Sequence, residues 1–470
     1  MEIKFFKNKA TIYLLILCFL TIVFSAIFNE TVEFFSFSLI VPIILLFFSF
    51  VFYQFNHNLN SNQYVSKLIL HTFILKLVSI IVFTEILNYY VGIPFLSKKD
   101  DYNYYYSALG IVKKWNNNGI SIVKDIQFST GFYSGYPNIS ALVMYLFGES
   151  IFVLKFFNSI FSSFIIIFYF KLMQLYCSDK SIKITLSIIA FSPLIIYFSS
   201  FVLKDILLLL FTITSIYCFA KIILDKSNFK TIILLIFSFI MLVFFRAATL
   251  VPIISSFIIV YLIKFFSLKK ALSIKSLFLI LFTLLIFLKL WDYISTLNLI
   301  SDYESYYLPR IEHYSSKEVL NSGTNAGKLA GISVFGAPIL ILTSLFLPAY
   351  LFINLGNFET INYQASSLIY HIAFVPFLFS CFIYLIRNIK KLKSLILFFL
   401  FTILFMKLGQ VVSINSLFSA RQSLGSIFIF YLILPIYLEN KHKMKFTNWY
   451  FIFAIFVLFG FNISRYLIRL

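Results

Sequence analysis

The sequence predicts an all-α protein: a polytopic bundle of transmembrane helices with two large polar loops on the side away from the cytoplasm. Three observations predict it. Hydrophobic residues make up 61% of the 470 and charged residues only 12%. That is more apolar surface than a water-soluble domain hides, whereas lipid accepts it if each backbone group bonds within its own helix. The apolar residues come in runs of span length, and the cations sit in short segments between the runs, the pattern that orients helices in a membrane.

The runs fall at 11–28, 34–54, 68–89, 149–176, 184–200, 203–223, 231–246, 247–266, 276–291, 366–386, 394–411, 424–438 and 447–464. By the length rule they give about 13 spans. Lys4, Lys7 and Lys9 place the N-terminus in the cytoplasm, and Lys180 with Lys183, Lys226 with Lys230, Lys269 with Lys270 and Lys275, Arg387 through Lys393, and Lys441 with Lys443 and Lys445 follow on the same side. Residues 90–148 and 292–365 are then external. The apolar stretch 331–353, broken by Pro338 and Pro348, is expected to re-enter the membrane without crossing it, the alternative being one miscounted span elsewhere. The expected organisation is an appendage of two spans (1–67), a core (68–291) holding the first external loop, the second external loop (292–365), and C-terminal helices (366–470).

The formal net charge of +20 belongs to this inside bias and to contact with anionic headgroups; nucleic acid is not an expected partner. Cys18, Cys177, Cys218 and Cys381 are scattered, with no C-x-x-C, and read as packing residues. The first apolar run lacks a small-residue cleavage site and reads as an anchor.

The first external loop opens on Asp100 and Asp101. Tyr102, Tyr105, Leu109, Val112 and Trp115 then recur at three- and four-residue spacing, one apolar face of a helix resting in the interface. An aspartate at that position caps the helix and meets its positive dipole end. One cap needs one carboxylate, however, and a carboxylate held at the membrane surface is suited to be a general base for a hydroxyl. Asp100 and Asp101 are therefore the candidate catalytic pair. Gly131, Gly135 and Pro137 mark a turn before a short helix over 139–147, which Gly148 ends.

Asp100-Asp101, Tyr105, Ala108, Tyr136-Pro137 and Leu146-Phe147-Gly148-Glu149-Ser150 resemble the GT-C class of membrane glycosyltransferases, the protein-mannosyltransferase and lipid A aminoarabinose-transferase type above all. The resemblance covers residues 68–250. Two extra spans precede the loop, and Tyr136-Pro137 stands where that class has Pro-Pro. The resemblance implies a polyprenyl-phosphate-linked sugar as donor, a glycan or glycolipid hydroxyl as acceptor, and the extracytoplasmic face of a bacterial cytoplasmic membrane as the place of reaction. It also implies an acidic residue facing the cavity at Asp205, next to Lys204; a salt bridge between those two at the interface is the plainer alternative.

Arg246, Arg310 and Arg421 fall on the external side, where the positive-inside rule disfavours them. Arginine grips a leaving phosphate with two parallel hydrogen bonds, so these three and Lys204 are candidate phosphate-binding residues. Headgroup contact is the simpler alternative. Tyr102, Tyr105, Tyr136, Asp205 and His313 are the candidate substrate contacts. Asp302 and Glu304 form only a D-x-E, so the need for a divalent metal stays open, and the Gly-rich stretch 321–328 lacks the ending of a phosphate loop.

Two other functions fit the layout. An O-antigen or capsule repeat-unit polymerase also carries large external loops with functional arginines. A flippase or transporter would keep its loops short and its charges along a central pathway, whereas here mid-span charge is limited to residues such as Lys76 and Glu85. The expected topology has a direct check: a membrane-impermeant thiol reagent labels cysteines introduced along the Asp100–Asp101 stretch in intact cells, and labelling only after lysis would place that stretch in the cytosol.

Overall fold

In a computed structural model of the chain, the described residues are 32–95, 100–122, 135–246, 249–267, 374–389, 392–411 and 424–440. Among them the regular structure is entirely helical: α1 (Val32–Asn56), α2 (Ser61–Val91), α3 (Asp100–Asn118), α4 (Gly135–Phe147), α5 (Ile151–Met173), α6 (Asp179–Ala190), α7 (Pro193–Ser199), α8 (Asp205–Ile223), α9 (Phe229–Arg246), α10 (Leu250–Ser267), α11 (Val375–Arg387), α12 (Ser394–Val411), α13 (Leu424–Tyr431) and α14 (Leu434–Asn440). The runs 11–28, 276–291 and 447–464, the broken stretch 331–353 and the second loop fall outside the described residues.

Four of these helices, α2, α5, α8 and α9, are long and apolar enough to cross a membrane, and α6 with α7 make a fifth candidate bent by 48°. The bend has a local cause. Pro193 opens α7 and carries no N–H, so the helix cannot run through it. The boundaries elsewhere have ordinary causes too. Asn60 caps α2 by accepting the Gln63 N–H at 2.9 Å, and Gly92 closes that helix with φ +75. Ser150 caps α5, and Gly148 takes φ +101 just before it.

α8 sits at the centre, flanked by α5 and α9, with α2 outside α5 and α10 on α12. The packing is inverted relative to a soluble bundle. α5 buries Lys155, Asn158, Ser159, Ser162 and Ser163 and turns Phe152, Phe156 and Phe164 outward. α2 and α9 likewise expose Leu70, Ile74, Val78 and Ile81, and Ile232, Ile236, Phe237 and Ile240. Continuous exposed apolar faces of this extent suit hydrocarbon, not water. Small hydroxyl side chains let α5 and α7 approach closely, with Ser159 Oγ donating to the Ser199 carbonyl at 3.3 Å.

The two ends of the bundle differ. At one end, Lys183 Nζ donates to the carbonyls of His57 (3.0 Å) and Leu59 (2.6 Å), and the Ser178 N–H donates to Glu439 Oε1 at 2.6 Å. Tyr64 Oη donates to the Lys183 carbonyl at 3.1 Å and also meets Ser187 Oγ. At the foot of α8, Lys264 pairs with Asp225 at 2.5 Å and donates to the Ile223 carbonyl at 2.8 Å. At the other end lie α3 and α4, packed on each other and wedged against α5 and α9.

Gly135, the first residue of α4, makes that wedge possible. A Cβ there would stand 2.5 Å from the Phe244 carbonyl oxygen and 2.9 Å from Phe244 Cβ. Gly135→Ala is expected to force α4 away from α9 and lower stability by about 1–3 kcal/mol, read as an earlier unfolding transition of the purified protein in detergent; Gly110→Ala, which meets nothing, is the control.

Candidate functional site

The site is best built from α5 outward. Its first two turns carry Lys155 and Asn158, three residues apart and hence on one face of the helix. The two N–H groups of Asn158 Nδ2 are shared among three acceptors: Tyr136 Oη at 3.0 Å, the Phe201 carbonyl at 2.6 Å and the Leu203 carbonyl at 3.2 Å. Phe201 and Leu203 belong to the irregular turn between α7 and α8, whose carbonyls have no helical partners to call on. One amide therefore holds that turn and ties α4 to it. Lys204 and Asp205 follow at once.

Lys155 Nζ donates to Thr84 Oγ1 at 2.7 Å and to the Pro94 carbonyl at 3.0 Å, and lies 5.7 Å from the centre of the Phe201 ring. It so joins the end of α2, and the segment leaving it, to α5. Lys204 Nζ lies 5.9 Å from the centre of the Tyr104 ring, and Tyr104 meets Tyr136 edge-on at 5.1 Å. Asp101 interacts electrostatically with Lys155, and Asp205 with the Tyr136 phenol.

The result is a charge-balanced cluster of two carboxylates and two ammoniums. Asp101 and Asp205 are each 1% exposed, Lys155 1% and Lys204 5%. Such groups are expensive to remove from water and persist when they are paired and hydrogen-bonded. Tyr136 completes the cluster. Burial pushes its phenol well above the usual range, against hydrogen bonds from Asn158 and Ser140 that act the other way, so it remains a neutral O–H.

The structure separates the acidic pair. Asp101 turns into the cluster, with one carboxylate oxygen accepting the Tyr102 N–H at 3.0 Å. Asp100 is half-buried at the helix mouth. The buried face of α3 runs Asp101, Tyr104, Ala108, Ile111, Val112, Trp115; of the expected stripe, Val112 and Trp115 lie on it, whereas Tyr102, Tyr105 and Leu109 are only half-buried beside it. The reason lies outside the helix. Phe95, buried on the segment before α3, draws Tyr102 (5.4 Å), Tyr105 (5.4 Å) and Tyr106 (6.2 Å) onto itself. Tyr105 Oη also donates to the Glu149 carbonyl at 2.9 Å, tying α3 to the start of α5. Burial raises the Tyr105 phenol, with Tyr106 and Glu149 adding to the effect.

Of the residues expected from sequence, Asp101, Tyr136, Lys204 and Asp205 come together. Tyr102 and Tyr105 stand on a neighbouring face, against Phe95, and Asp100 is half-buried in the first turn. Arg246 ends α9, two residues beyond Phe244 where α4 touches, and is half-buried at the same end of the bundle. Arg310, His313 and Arg421 lie outside the described residues, as do Asp302 and Glu304. Among the described residues, no three His, Cys, Asp or Glu side chains gather as a metal site would require. Cys177, Cys218 and Cys381 are free thiols, and His71 Nδ1 donates to the Lys67 carbonyl one turn back.

Lys155, Asn158 and Tyr104 complete the cluster without having stood out in the sequence. A signal was there: Lys155 and Asn158 interrupt an otherwise apolar run at helical spacing. Asn158→Ala is expected to lower stability by about 1–3 kcal/mol, because the Phe201 and Leu203 carbonyls would be left buried and unbonded. Tyr136→Phe removes a single acceptor and should cost less, about 0.5–1.5 kcal/mol. Denaturant unfolding in micelles orders the two variants. Compared with known proteins, the chain matches no family model, no curated protein and no solved structure, so the functional reading rests on this geometry and on the residues that form it.

Proposed function

We propose that the chain is an integral membrane glycosyltransferase. It moves a sugar from a polyprenyl-phosphate-linked donor to a hydroxyl of a cell-surface glycan or glycolipid, at the extracytoplasmic face of a bacterial cytoplasmic membrane. One observation carries the reading: the Asp101 carboxylate is buried within the electrostatic reach of Lys155, with Lys204 over the neighbouring Tyr104 ring, at the end of a bundle whose outer faces are hydrocarbon-like. Such a place lies between hydrocarbon, which carries a lipid-borne phosphosugar, and water, which carries a hydroxyl acceptor.

The chemistry follows from the groups present. Asp101 accepts the hydroxyl proton while that oxygen attacks the anomeric carbon. The bond from that carbon to the phosphate oxygen breaks, and the configuration inverts. Charge then grows on the leaving phosphate, and Lys204 and Arg246 lie at this end of the bundle to meet it. Arg310 and Arg421 are assigned the same role from sequence. Tyr102, Tyr105, Tyr136 and Asp205 are assigned to substrate contact, Tyr136 and Asp205 interacting with each other in the buried cluster. Asp101 is closed off in this conformation, so acceptor entry requires the α3 end to open, as loops over buried active sites do.

Asp101→Asn is expected to reduce glycan product by at least about 100-fold at unchanged protein level, the usual weight of a general base. Asp100→Asn should lose far less. Full product from Asp101→Asn would remove the proposal. The glycan ladder after gene deletion sorts the enzyme classes: a full ladder lacking one sugar fits the transferase, whereas a single repeat unit would assign the chain as a polymerase.

A further inference from the structure

The two carboxylates that open α3 face different surroundings: Asp100 is half-buried, whereas Asp101 is buried and interacts with Lys155. Lys155 is buried in the first turns of α5. Its ammonium is anchored from below by Thr84 Oγ1 (2.7 Å) and from the side by the Pro94 carbonyl (3.0 Å). Pro94 stands seven residues before Asp101, and the next residue, Phe95, is the one onto which Tyr102, Tyr105 and Tyr106 of α3 fold. Fixing Pro94 therefore fixes where the chain leaves α2 and where the first turn of α3 begins. The same ammonium acts electrostatically on Asp101. A lysine with two acceptors of fixed position is a stiff charge, and the water that would screen it is excluded.

We propose that Lys155 is the positioning residue for Asp101, setting both the place of its carboxylate and its ionised state. The assignment rests on the glycosyltransferase reading for its consequence, but not for its physical content. The other charged or titratable groups around Asp101 are Lys204, which approaches over Tyr104 from the start of α8, its neighbour Asp205, Tyr136 of α4, and Asp100 on the same helix turn. Lys155 differs from Lys204 in also holding the backbone that leads into α3. Thr84 is then an indirect support: it touches Lys155 and aims it.

The test separates the carboxylate from the enzyme. In purified protein, infrared titration reports protonated carboxyl groups, and the signal missing from Asp101→Asn belongs to Asp101. Lys155→Met is expected to move the appearance of that signal up by about one pH unit or more, the effect of removing a nearby opposite charge. Lys155→Arg should return it to the wild-type position, and Thr84→Val should shift it the same way by less. The pH profile of glycan product should follow the same order, its acid limb moving up in Lys155→Met and recovering in Lys155→Arg. An Asp101 signal unmoved by Lys155→Met overturns the proposal whatever the protein does. A moved signal with glycan product indifferent to Asp101→Asn keeps the positioning role and sinks the transferase reading. If Lys155→Met fails to accumulate, Thr84→Val carries the measurement, and an unmoved signal there with Lys155→Arg unlike wild type overturns the proposal equally.

Discussion

Charge that has left water must be answered by the protein itself. At the α3 end of this bundle, two carboxylates and two ammoniums are almost wholly withdrawn from solvent, together with an amide and a phenol. A single charge at the centre of a membrane helix costs about 2.5–3.5 kcal/mol on insertion scales. Removing one partner of a buried set costs more, because the other is left behind. Each neighbouring element is bound by that constraint. α2 must end where Thr84 and Pro94 meet Lys155, α3 must start with Asp101 turned inward, and the turn before α8 must present its carbonyls to Asn158.

The same constraint explains the inverted helices. α5 carries its polar residues on the face that meets α7, α8 and α4, and Phe152, Phe156 and Phe164 on its outer face. The amphipathic pattern is that of a surface helix turned inside out. Lipid provides no incentive to bury apolar side chains against one another, so close packing of small residues and satisfied hydrogen bonds must hold the helices together. The serine contacts between α5 and α7 and the glycine contact between α4 and α9 are of this kind.

The chemistry proposed for this end follows from the unequal treatment of two adjacent residues. Asp100 and Asp101 are identical side chains at the start of one helix, and either suits a capping role. Helical geometry puts them 100° apart, and Asp101 is the one turned into the bundle. Asp101 lies within the electrostatic reach of Lys155. Asp100 stays half-buried at the mouth. The proposed base is thus singled out from two identical letters by its surroundings.

Much of the architecture was legible in the sequence, because span-length apolar runs and bracketing cations are local signals. The runs at 34–54, 68–89, 149–176, 203–223 and 231–246 match α1, α2, α5, α8 and α9, Gly148 marks the break before α5, and the bend at Pro193 lies inside the run 184–200. Asp101, Tyr136, Lys204 and Asp205 were legible as polar residues in places that need a reason. What the sequence could not decide was which face of α3 turns inward, since Phe95 captures three tyrosines from outside the helix, or that Lys155 and Asn158, more than forty residues after Asp101, would close the cluster. The sequence alone determined that these helices belong in hydrocarbon, because composition and run length depend only on neighbours along the chain. The tertiary structure decided which charges meet, because pairing depends on how separate helices rotate and cross, and no local pattern records that.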